Sequence, residues 1–248
     1  MMKKLSIIIP VYNEEKTILS CLDNVLTVCE NKLKDILFDY EIIISNDWSK
    51  DKSIALIKDF LKQNPKFKTK ISILDNKINK WKWAAVKTWF KQANWDIFII
   101  QDADLEYDPN DYIPIIKKME TENLDIVYWS RILWFKEFNN SYSTWSFLIW
   151  WILVSLVTSI LTFKKITDEP TCYKTFRKSL KNYLLKPSEN WFEYEPAITM
   201  FLLKKWFKYG EVPIHYKARK PEDWKKIKWT DWIKAILTLI KRKFKTVK

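Results

Sequence analysis

Five short apolar runs in the first half of the chain limit most what it can fold into: LSIIIPV, YEIIIS, KISIL, DIFIIQ and DIVYWS. Segments of helical length separate them. Residues 14–37 carry Ile18, Leu22, Val25, Leu26, Leu33 and Leu37 near helical spacing, and residues 51–62, 84–93 and 110–121 read as three further helices. Such alternation predicts an α/β fold, a mainly parallel sheet with helices on both faces. Ligands of such sheets bind beyond the carboxyl ends of the strands, near the point where strand order reverses. The residues directly after each run are therefore the candidates for chemistry.

The fourth run leads into QDADLEYDP. Asp102 and Asp104 stand one residue apart, and in extended backbone that spacing points both side chains the same way. Two adjacent carboxylates repel, and a hard divalent cation relieves the repulsion; Mg²⁺ typically takes one or two carboxylates and completes its shell with substrate phosphates. Glu106 is positioned to join them. An acidic loop ahead of a helix also arises simply because Asp and Glu favour helix N-termini. After the second run comes SNDWSKDKS, with Ser45, Asn46 and Asp47 on the lip of the strand, where a carboxylate can accept hydrogen bonds from a ribose or a base edge. Ser49 and Asp51 equally suit a helix cap. In PVYNEE, Tyr12 is placed to flank a base and Asn13 to cap a helix. In YWSR, Arg131 suits either a bidentate phosphate contact or a surface ion pair. The single histidine, His215, has no polar neighbour spaced to orient it as a base and reads as structural.

The second half has a different character. Residues 145–163 run for 19 positions without a charge, the lower edge of membrane-spanning length. The hydroxyls of Ser146, Ser155, Thr158, Ser159 and Thr162 favour an interfacial or acceptor-facing helix over a span. Near the C-terminus, DWIKAILTLIKRKFK is a basic amphipathic helix, suited to docking on the domain or to an anionic bilayer. The net charge of +13 favours anionic partners. Cys21, Cys29 and Cys172 form no CxxC pair, which argues against a zinc site or a disulfide framework and for a reducing compartment. Pro10 and the pair Glu14–Glu15 cut the first apolar run too short for a signal peptide.

One anomaly crosses all of these segments. Ordinary usage of about 7% glycine predicts roughly 17 glycines, but the chain has one, Gly210, and 15 tryptophans. The stretch NKWKWAAVKTWF alone holds three tryptophans between lysines. Lys–Trp alternation is what a single-stranded nucleic-acid surface uses, with lysine on phosphate and indole on base.

Read in order, IIIPVYNEE, NDWSKDKS, NKWKWAA, NWDIFIIQDADLEYDP, VYWSR, ITDEPTCYKTFR, WFEYEP and EVPIHY resemble a family 2 glycosyltransferase, most of all the dolichol-phosphate mannosyltransferase group. The resemblance covers nearly the whole chain. Where the family reads NDGS, N-x-GKGAA, GD ahead of the last strand, GSR and GFE, this sequence has tryptophan for glycine; the affected positions are Trp48, Trp81, Trp83, Trp89, Trp95, Trp129 and Trp191; Trp206, Trp224 and Trp232 group with them, whereas Trp229 matches a family tryptophan. UGA specifies tryptophan in some genetic codes and glycine in others, and a gene using it for glycine, read with the other table, gives this pattern. That placement favours the resemblance over a nucleic-acid surface, and no nucleic-acid partner is expected.

The resemblance implies a GT-A fold, Rossmann-like, as one domain over 1–248, with a nucleotide-sugar-binding half (1–131) and an acceptor-binding half (132–248). It implies that Pro10, Tyr12, Glu14, Ser45, Asp47, Asp102, Ala103, Arg131, Arg219 and Lys225 bind a GDP- or UDP-linked sugar. Asp102, Asp104 and Glu106 match metal-site positions for Mg²⁺ or Mn²⁺, and Asp104 and Arg131 carry the catalytic roles. The implied reaction is inverting transfer of a hexose, mannose or glucose, to a polyprenyl or dolichyl phosphate, whose second pKa of about 6 leaves it ionised and in little need of a general base. A glycan hydroxyl acceptor would need a base, with Glu193 and Glu195 the first candidates; a non-catalytic nucleotide- or nucleic-acid-binding protein is the alternative if the tryptophans are genuine. A chain ending before any membrane extension is expected to sit peripherally on the cytoplasmic face of the membrane.

Overall fold

The computed structural model describes residues 3–36, 38–76, 83, 86–87, 90, 96–133, 145–189, 191–219 and 229–244. Seven strands form one sheet: β1 (Lys3–Val11), β2 (Phe38–Asn46), β3 (Ile71–Asp75), β4 (Ile97–Ile100), β5 (Ile126–Ser130), β6 (Lys174–Arg177) and β7 (Tyr209–Pro213). Their order is β3-β2-β1-β4-β6-β5-β7. Every pairing is parallel except those of β6, which runs antiparallel to β4 and β5. The helices are α1 (Ile18–Val28), α2 (Ser53–Gln63), α3 (Tyr112–Thr121), α4 (Trp145–Thr162), α5 (Lys181–Leu184), α6 (Tyr194–Lys204) and α7 (Trp229–Phe244).

The strand runs are continuously apolar because both faces of the sheet are buried. Ile7, Ile9, Ile97, Ile99, Val127 and Trp129 point into one core, which they share with Leu22 of α1, Ile116 of α3, Val154 of α4 and Leu239 of α7. The alternate residues Ile8, Ile43, Phe98, Ile100 and Tyr128 point into a second core with Leu184 of α5 and Ile198 of α6. Helices thus cover both faces, as the alternation predicts. Strands β6 and β7 come from the second half of the chain and complete the same sheet.

Three expectations change. The helix expected over 14–37 is α1 alone; the chain goes on as a π-helical turn, Cys29–Leu33, and a 3₁₀ turn, Lys34–Ile36. The wider π turn keeps Cys29 and Leu33 buried. The helix expected from 110 opens with a 3₁₀ turn, Pro109–Asp111, in which the Asp108 side chain accepts from the Asn110 N–H. Strands β6 and β7 were not anticipated, because KTFR and YGEVP are short and interrupted by charge, glycine and proline. Gly210 sits in β7 where an added Cβ would lie 2.5 Å from Leu124 Cδ1, so the single glycine marks a close approach. Of the helix expected over 84–93, Val86, Lys87 and Phe90 are helical, as is Trp83 just before it. The remainder of that helix, with Leu37, Trp81, Trp89, Trp95, Trp224 and Lys225, lies outside the described residues.

Candidate functional site

The parallel register gathers the carboxyl ends of β1, β2 and β4: Pro10 pairs with Ser45, Val11 with Asn46, and Ile8 with Ile100. Strand β1 has β2 on one side and β4 on the other, so the reversal of strand order lies between β1 and β4. That crevice is where open α/β sheets bind ligands, and the loop holding Asp102 and Asp104 opens into it.

The loops after β1 and β2 brace each other. The Asn13 N–H donates to Ser49 Oγ (3.1 Å), the Lys50 N–H to Asn13 Oδ1 (2.8 Å) and the Glu14 N–H to Ser53 Oγ (2.8 Å). Asn13, at φ 56°, tolerates the left-handed backbone this requires. Asp47 is buried, and its N–H donates to the Val11 carbonyl at 2.8 Å. Ser45 is buried with no hydrogen-bond partner for its Oγ. Pro10 and Tyr12 are half-buried and Ala103 is buried. Trp48 rides on this braced turn at φ 67°, with Lys50 Nζ 3.3 Å from its ring centroid. A bulky residue at that φ is an outlier in a position that suits glycine.

The carboxylates of Asp102 and Asp104 are not aligned by extended backbone, as their spacing suggested. Strand β4 stops at Ile100, Ala103 and Asp104 lie in a turn, and Leu105 is left-handed at φ 63°. Asp104 Oδ2 accepts from Arg219 Nη2 at 2.9 Å. Glu106 Oε1 accepts from the Arg219 backbone N–H (3.0 Å), and its Oε2 from the Tyr216 hydroxyl (3.0 Å). Arg219 Nη1 lies 4.0 Å from Glu14 Oε1. One guanidinium, delivered by the loop after β7, therefore ties the β1 and β4 loops together. Burial, then the charges of Asp102 and Glu106, push Asp104 up to about 8, with Arg219 pulling the other way. Burial opposes the charge on Arg219, but Asp104, Glu106 and Glu14 outweigh it and raise its pKa.

Among the described residues the cluster is short of positive charge, and its hard oxygen donors suit Mg²⁺ or Mn²⁺. Asp102 and Asp104 fit such an ion, Asp104 sharing its carboxylate with Arg219; Glu106 is engaged through both oxygens, with Arg219 and with Tyr216. Among the described residues, no three His, Cys, Asp or Glu side chains are grouped to hold a metal by themselves. A two-carboxylate donor set is the kind that substrate phosphate completes.

Arg131, buried at the end of β5, donates to Asp168 from its backbone N–H (2.9 Å), Nε (2.7 Å) and Nη2 (2.7 Å). Burial works against its charge, and Asp168 more than compensates. Its Cζ lies 3.6 Å from the centroid of the Trp151 ring and 5.3 Å from that of Tyr216. Tyr216 thus stands between Arg131 and Glu106. Sequence reasoning missed Asp168, Trp151 and Tyr216; Asp168 is 37 residues from Arg131, and no local pattern announces such a pair.

Two further polar groups lie nearby in the fold. His215 Nδ1 is 2.8 Å from Asp111 Oδ1, and its backbone N–H donates to Asp111 Oδ2 at 2.8 Å. This anchors the segment leading to Arg219. Burial pushes Asp111 up to about 6 despite His215. Deeper, Lys174 Nζ donates to the carbonyls of Glu169 (2.8 Å) and Thr171 (2.6 Å) and lies 3.4 Å from Glu195 Oε2. Glu195 therefore points inward, while Glu193 is half-buried ahead of α6.

The sequence profile of glycosyl transferase family 2 matches residues 6–184. A dolichyl-phosphate beta-glucosyltransferase of Trichomonas vaginalis is 27% identical over 96% of this chain and 72% of its own length. A dolichyl-phosphate beta-glucosyltransferase of Dictyostelium discoideum is 36% identical over 51% of this chain and 39% of its own. An undecaprenyl-phosphate 4-deoxy-4-formamido-L-arabinose transferase of Photorhabdus laumondii is 34% identical over 50% of this chain, a match spanning only 36% of that relative. Among solved structures, glucosyl-3-phosphoglycerate synthase from Mycobacterium tuberculosis, in complex with Mn²⁺, UDP and glucosyl-3-phosphoglycerate, superposes with a TM-score of 0.67 at 14% identity, over 97% of this chain and 80% of that one. The fold is that of these sugar-transferring neighbours.

Proposed function

The chain belongs to glycosyl transferase family 2, and from that premise we propose that it moves a hexose from a GDP- or UDP-linked donor to a polyprenyl phosphate, with inversion at the anomeric carbon. One observation carries the reading: Asp102 and Asp104 sit at the strand-order reversal, with Arg219 drawn onto Asp104 and Glu106. The acceptors named for the Trichomonas and Dictyostelium relatives support a lipid phosphate.

Each residue has a definable task. Asp47 and the buried Ser45 lie along the β2 lip, where the nucleoside would rest, with Pro10, Tyr12 and Ala103 around it. Asp102 and Asp104 would hold a divalent cation, which supplies charge to the departing diphosphate. Arg219 presents a guanidinium to that same charge, and Lys225 is assigned beside it by the family resemblance alone. Arg131, fixed by Asp168, holds positive charge behind Tyr216 at a stationary point; pre-oriented charge of this sort stabilises a transition state without reorganising. A phosphate acceptor brings its own nucleophilic oxygen, which agrees with Glu195 being engaged with Lys174 rather than free to act as a base. The nucleotide-binding half is assigned to 1–131 and the acceptor half to 132–248, with the protein working at the cytoplasmic face of the membrane.

The test is transfer of radiolabelled sugar from UDP-glucose or GDP-mannose, with Mg²⁺ or Mn²⁺, into detergent-dispersed polyprenyl phosphate. An organic-extractable labelled product is expected, and Asp104→Asn should reduce it at least a hundredfold while leaving the circular dichroism spectrum intact. No extractable product from either donor would overturn the acceptor assignment; full activity in Asp104→Asn would remove the cation from the reading.

A further inference from the structure

The turn that carries Asp102 and Asp104 is held from inside the fold. Strand β4 is apolar through Ile97–Ile100 and then meets Gln101, an amide buried at the end of the sheet. A buried amide is costly unless its hydrogen bonds are made, and Gln101 makes them on both sides. Its Nε2 donates to the Asp102 carbonyl at 3.0 Å, and its Oε1 accepts from the Tyr112 hydroxyl. A carbonyl only accepts, so the amide nitrogen must face Asp102 and the amide oxygen is left for Tyr112. The Gln101 backbone N–H donates to the Ile8 carbonyl at 2.8 Å, which ties the same residue to β1.

A second donor converges on that carbonyl. The thiol of Cys21, buried in α1, donates to the Asp102 carbonyl at 3.7 Å. Tyr112 is the first residue of α3 and is fully buried. A phenylalanine would fill the same space, so what the hydroxyl adds is its bond to Gln101. The far end of the loop is pinned as well: the Glu106 N–H donates to Asp104 Oδ1 at 3.2 Å, and the Tyr107 ring stacks on Tyr173 at 3.8 Å. Side chains from α1, β4 and α3 thus fix the peptide between Asp102 and Ala103, and the orientation of that peptide sets the directions in which the two flanking carboxylates leave the backbone.

Two neighbouring carboxylates repel each other and spread apart if the backbone lets them. A small divalent ion takes its oxygens at about 2.0–2.1 Å in near-octahedral geometry, so a loose pair binds it poorly. We propose that Gln101, braced by Tyr112, is a positioning residue for the cation site: with Cys21 it fixes the Asp102 peptide so that the Asp102 and Asp104 carboxylates are set for one ion before that ion arrives. The inference rests on the reading of those two carboxylates as cation ligands. It does not depend on the sugar or the acceptor.

The probe is Mn²⁺ itself, titrated into the full chain with saturating UDP or GDP and followed by loss of the free-ion electron paramagnetic resonance signal. Gln101→Leu removes both side-chain bonds, and Tyr112→Phe removes one hydroxyl. Each should raise the Kd for Mn²⁺ by about tenfold or more, the scale seen when the partners of metal-ligating groups are lost. Each also strands a buried polar group, so a lower melting temperature alone decides nothing. The double variant Gln101→Leu/Tyr112→Phe removes both members of the pair, a replacement that is close to neutral for stability. It should melt near the parent and still bind Mn²⁺ about tenfold more weakly, and it carries the test by itself if a single variant does not fold. Nucleotide affinity measured without metal should be the same in all four proteins, which separates a loosened cation site from a collapsed pocket. A folded double variant with the parent's Kd for Mn²⁺ would show that the pair only fills the core, overturning the inference while the cation reading stands. A parent that binds no Mn²⁺ with either nucleotide would overturn both.

Discussion

Replacing Trp48 with glycine tests how the strained turn at the nucleotide lip relates to the chemistry. Trp48 is left-handed, with φ 67°, and a non-glycine residue there costs roughly 1–2 kcal/mol. Glycine removes that cost. It forfeits the Lys50 contact over the ring, 3.3 Å from Nζ to centroid, worth about 0.5–1 kcal/mol at an exposed site. It also adds about 0.5–1 kcal/mol of unfolded-state entropy. The gain and the losses nearly cancel, so stability should change by less than about 1 kcal/mol, equivalent to no more than about 2–4 °C in a domain of this size. Binding should respond differently. The indole is 42% exposed on the loop that follows Ser45 and Asp47, and a nucleoside entering there must first break its Lys50 contact. Removing that contact should lower the Kd for UDP or GDP by about two- to fivefold, and by more if the ring also blocks the base. Isothermal titration with Mn²⁺ present, together with a thermal melt, measures both. A glycine variant that binds nucleotide more weakly, or melts more than about 8 °C lower, would refute the reasoning.

Trp206 is also left-handed, at φ 62°, directly after the cap of α6, where glycine is the usual residue. Trp206→Gly should therefore hold or raise the melting temperature and leave nucleotide binding unchanged; a shift in binding would count against it. Asp168→Ala should cost about 3–5 kcal/mol in urea unfolding, since it strands the buried Arg131 guanidinium, and Arg131→Met/Asp168→Leu should recover most of that loss; a loss under about 1 kcal/mol would disprove the dependence. Burial raises Glu169 to about 7 in spite of Lys174. Because its folded pKa exceeds the unfolded value, its stabilising contribution is complete below about pH 4.5 and is lost as pH rises through 7, by up to roughly 3 kcal/mol. The fall in unfolding free energy between pH 5 and pH 8 should therefore be smaller in Glu169→Gln than in the parent, the remainder coming from Asp104 and Asp111, which burial also raises; identical profiles for the two proteins would contradict the assignment.

The parts of the fold legible in the sequence are those with an unbroken local signal. The runs around Ile7, Ile43, Ile99 and Val127 are apolar on both faces, so they announce buried parallel strands without help from distant residues. Strands β6 and β7 carry Lys174, Arg177, Gly210 and Glu211, and only their partners in the sheet make them strands. The candidate site divides the same way. Asp102 and Asp104 are found from spacing because they follow a strand, though the turn at Leu105, not extended backbone, sets their geometry. The tie from Arg131 to Asp168 and the bridge from Tyr216 to Glu106 join residues far apart in the chain, and no periodicity encodes them. Family resemblance named Arg131 but not Asp168, which holds it; it named Arg219 together with Asp104, Glu106 and Glu14, but not that they pair with it. Helix α4 was half legible: the uncharged run was plain, while the inward turn of Ser155 and Thr158 beside Trp151 and Val154 depends on Glu169 and the core behind it.

The charge distribution connects these observations. The chain is strongly basic overall, at +13, yet among the described residues the rim where a diphosphate would bind holds Glu14, Asp102, Asp104 and Glu106, with Arg219 paired to three of them. A basic surface raises the local concentration of a nucleotide sugar, but that acidic rim by itself would repel its phosphates. The two facts are reconciled if the donor brings or meets a divalent cation, since Asp104, already pushed up to about 8 by burial and its acidic neighbours, gains most when positive charge arrives. Arg219 meanwhile neutralises part of the cluster from the loop after β7, which His215 and Asp111 anchor. Cation and nucleotide then favour each other's binding by the same factor, as linkage demands. On the proposed reading, the acidic rim would select for a metal-bearing diphosphate over a bare phosphate, while the basic surface around it favours anions in general.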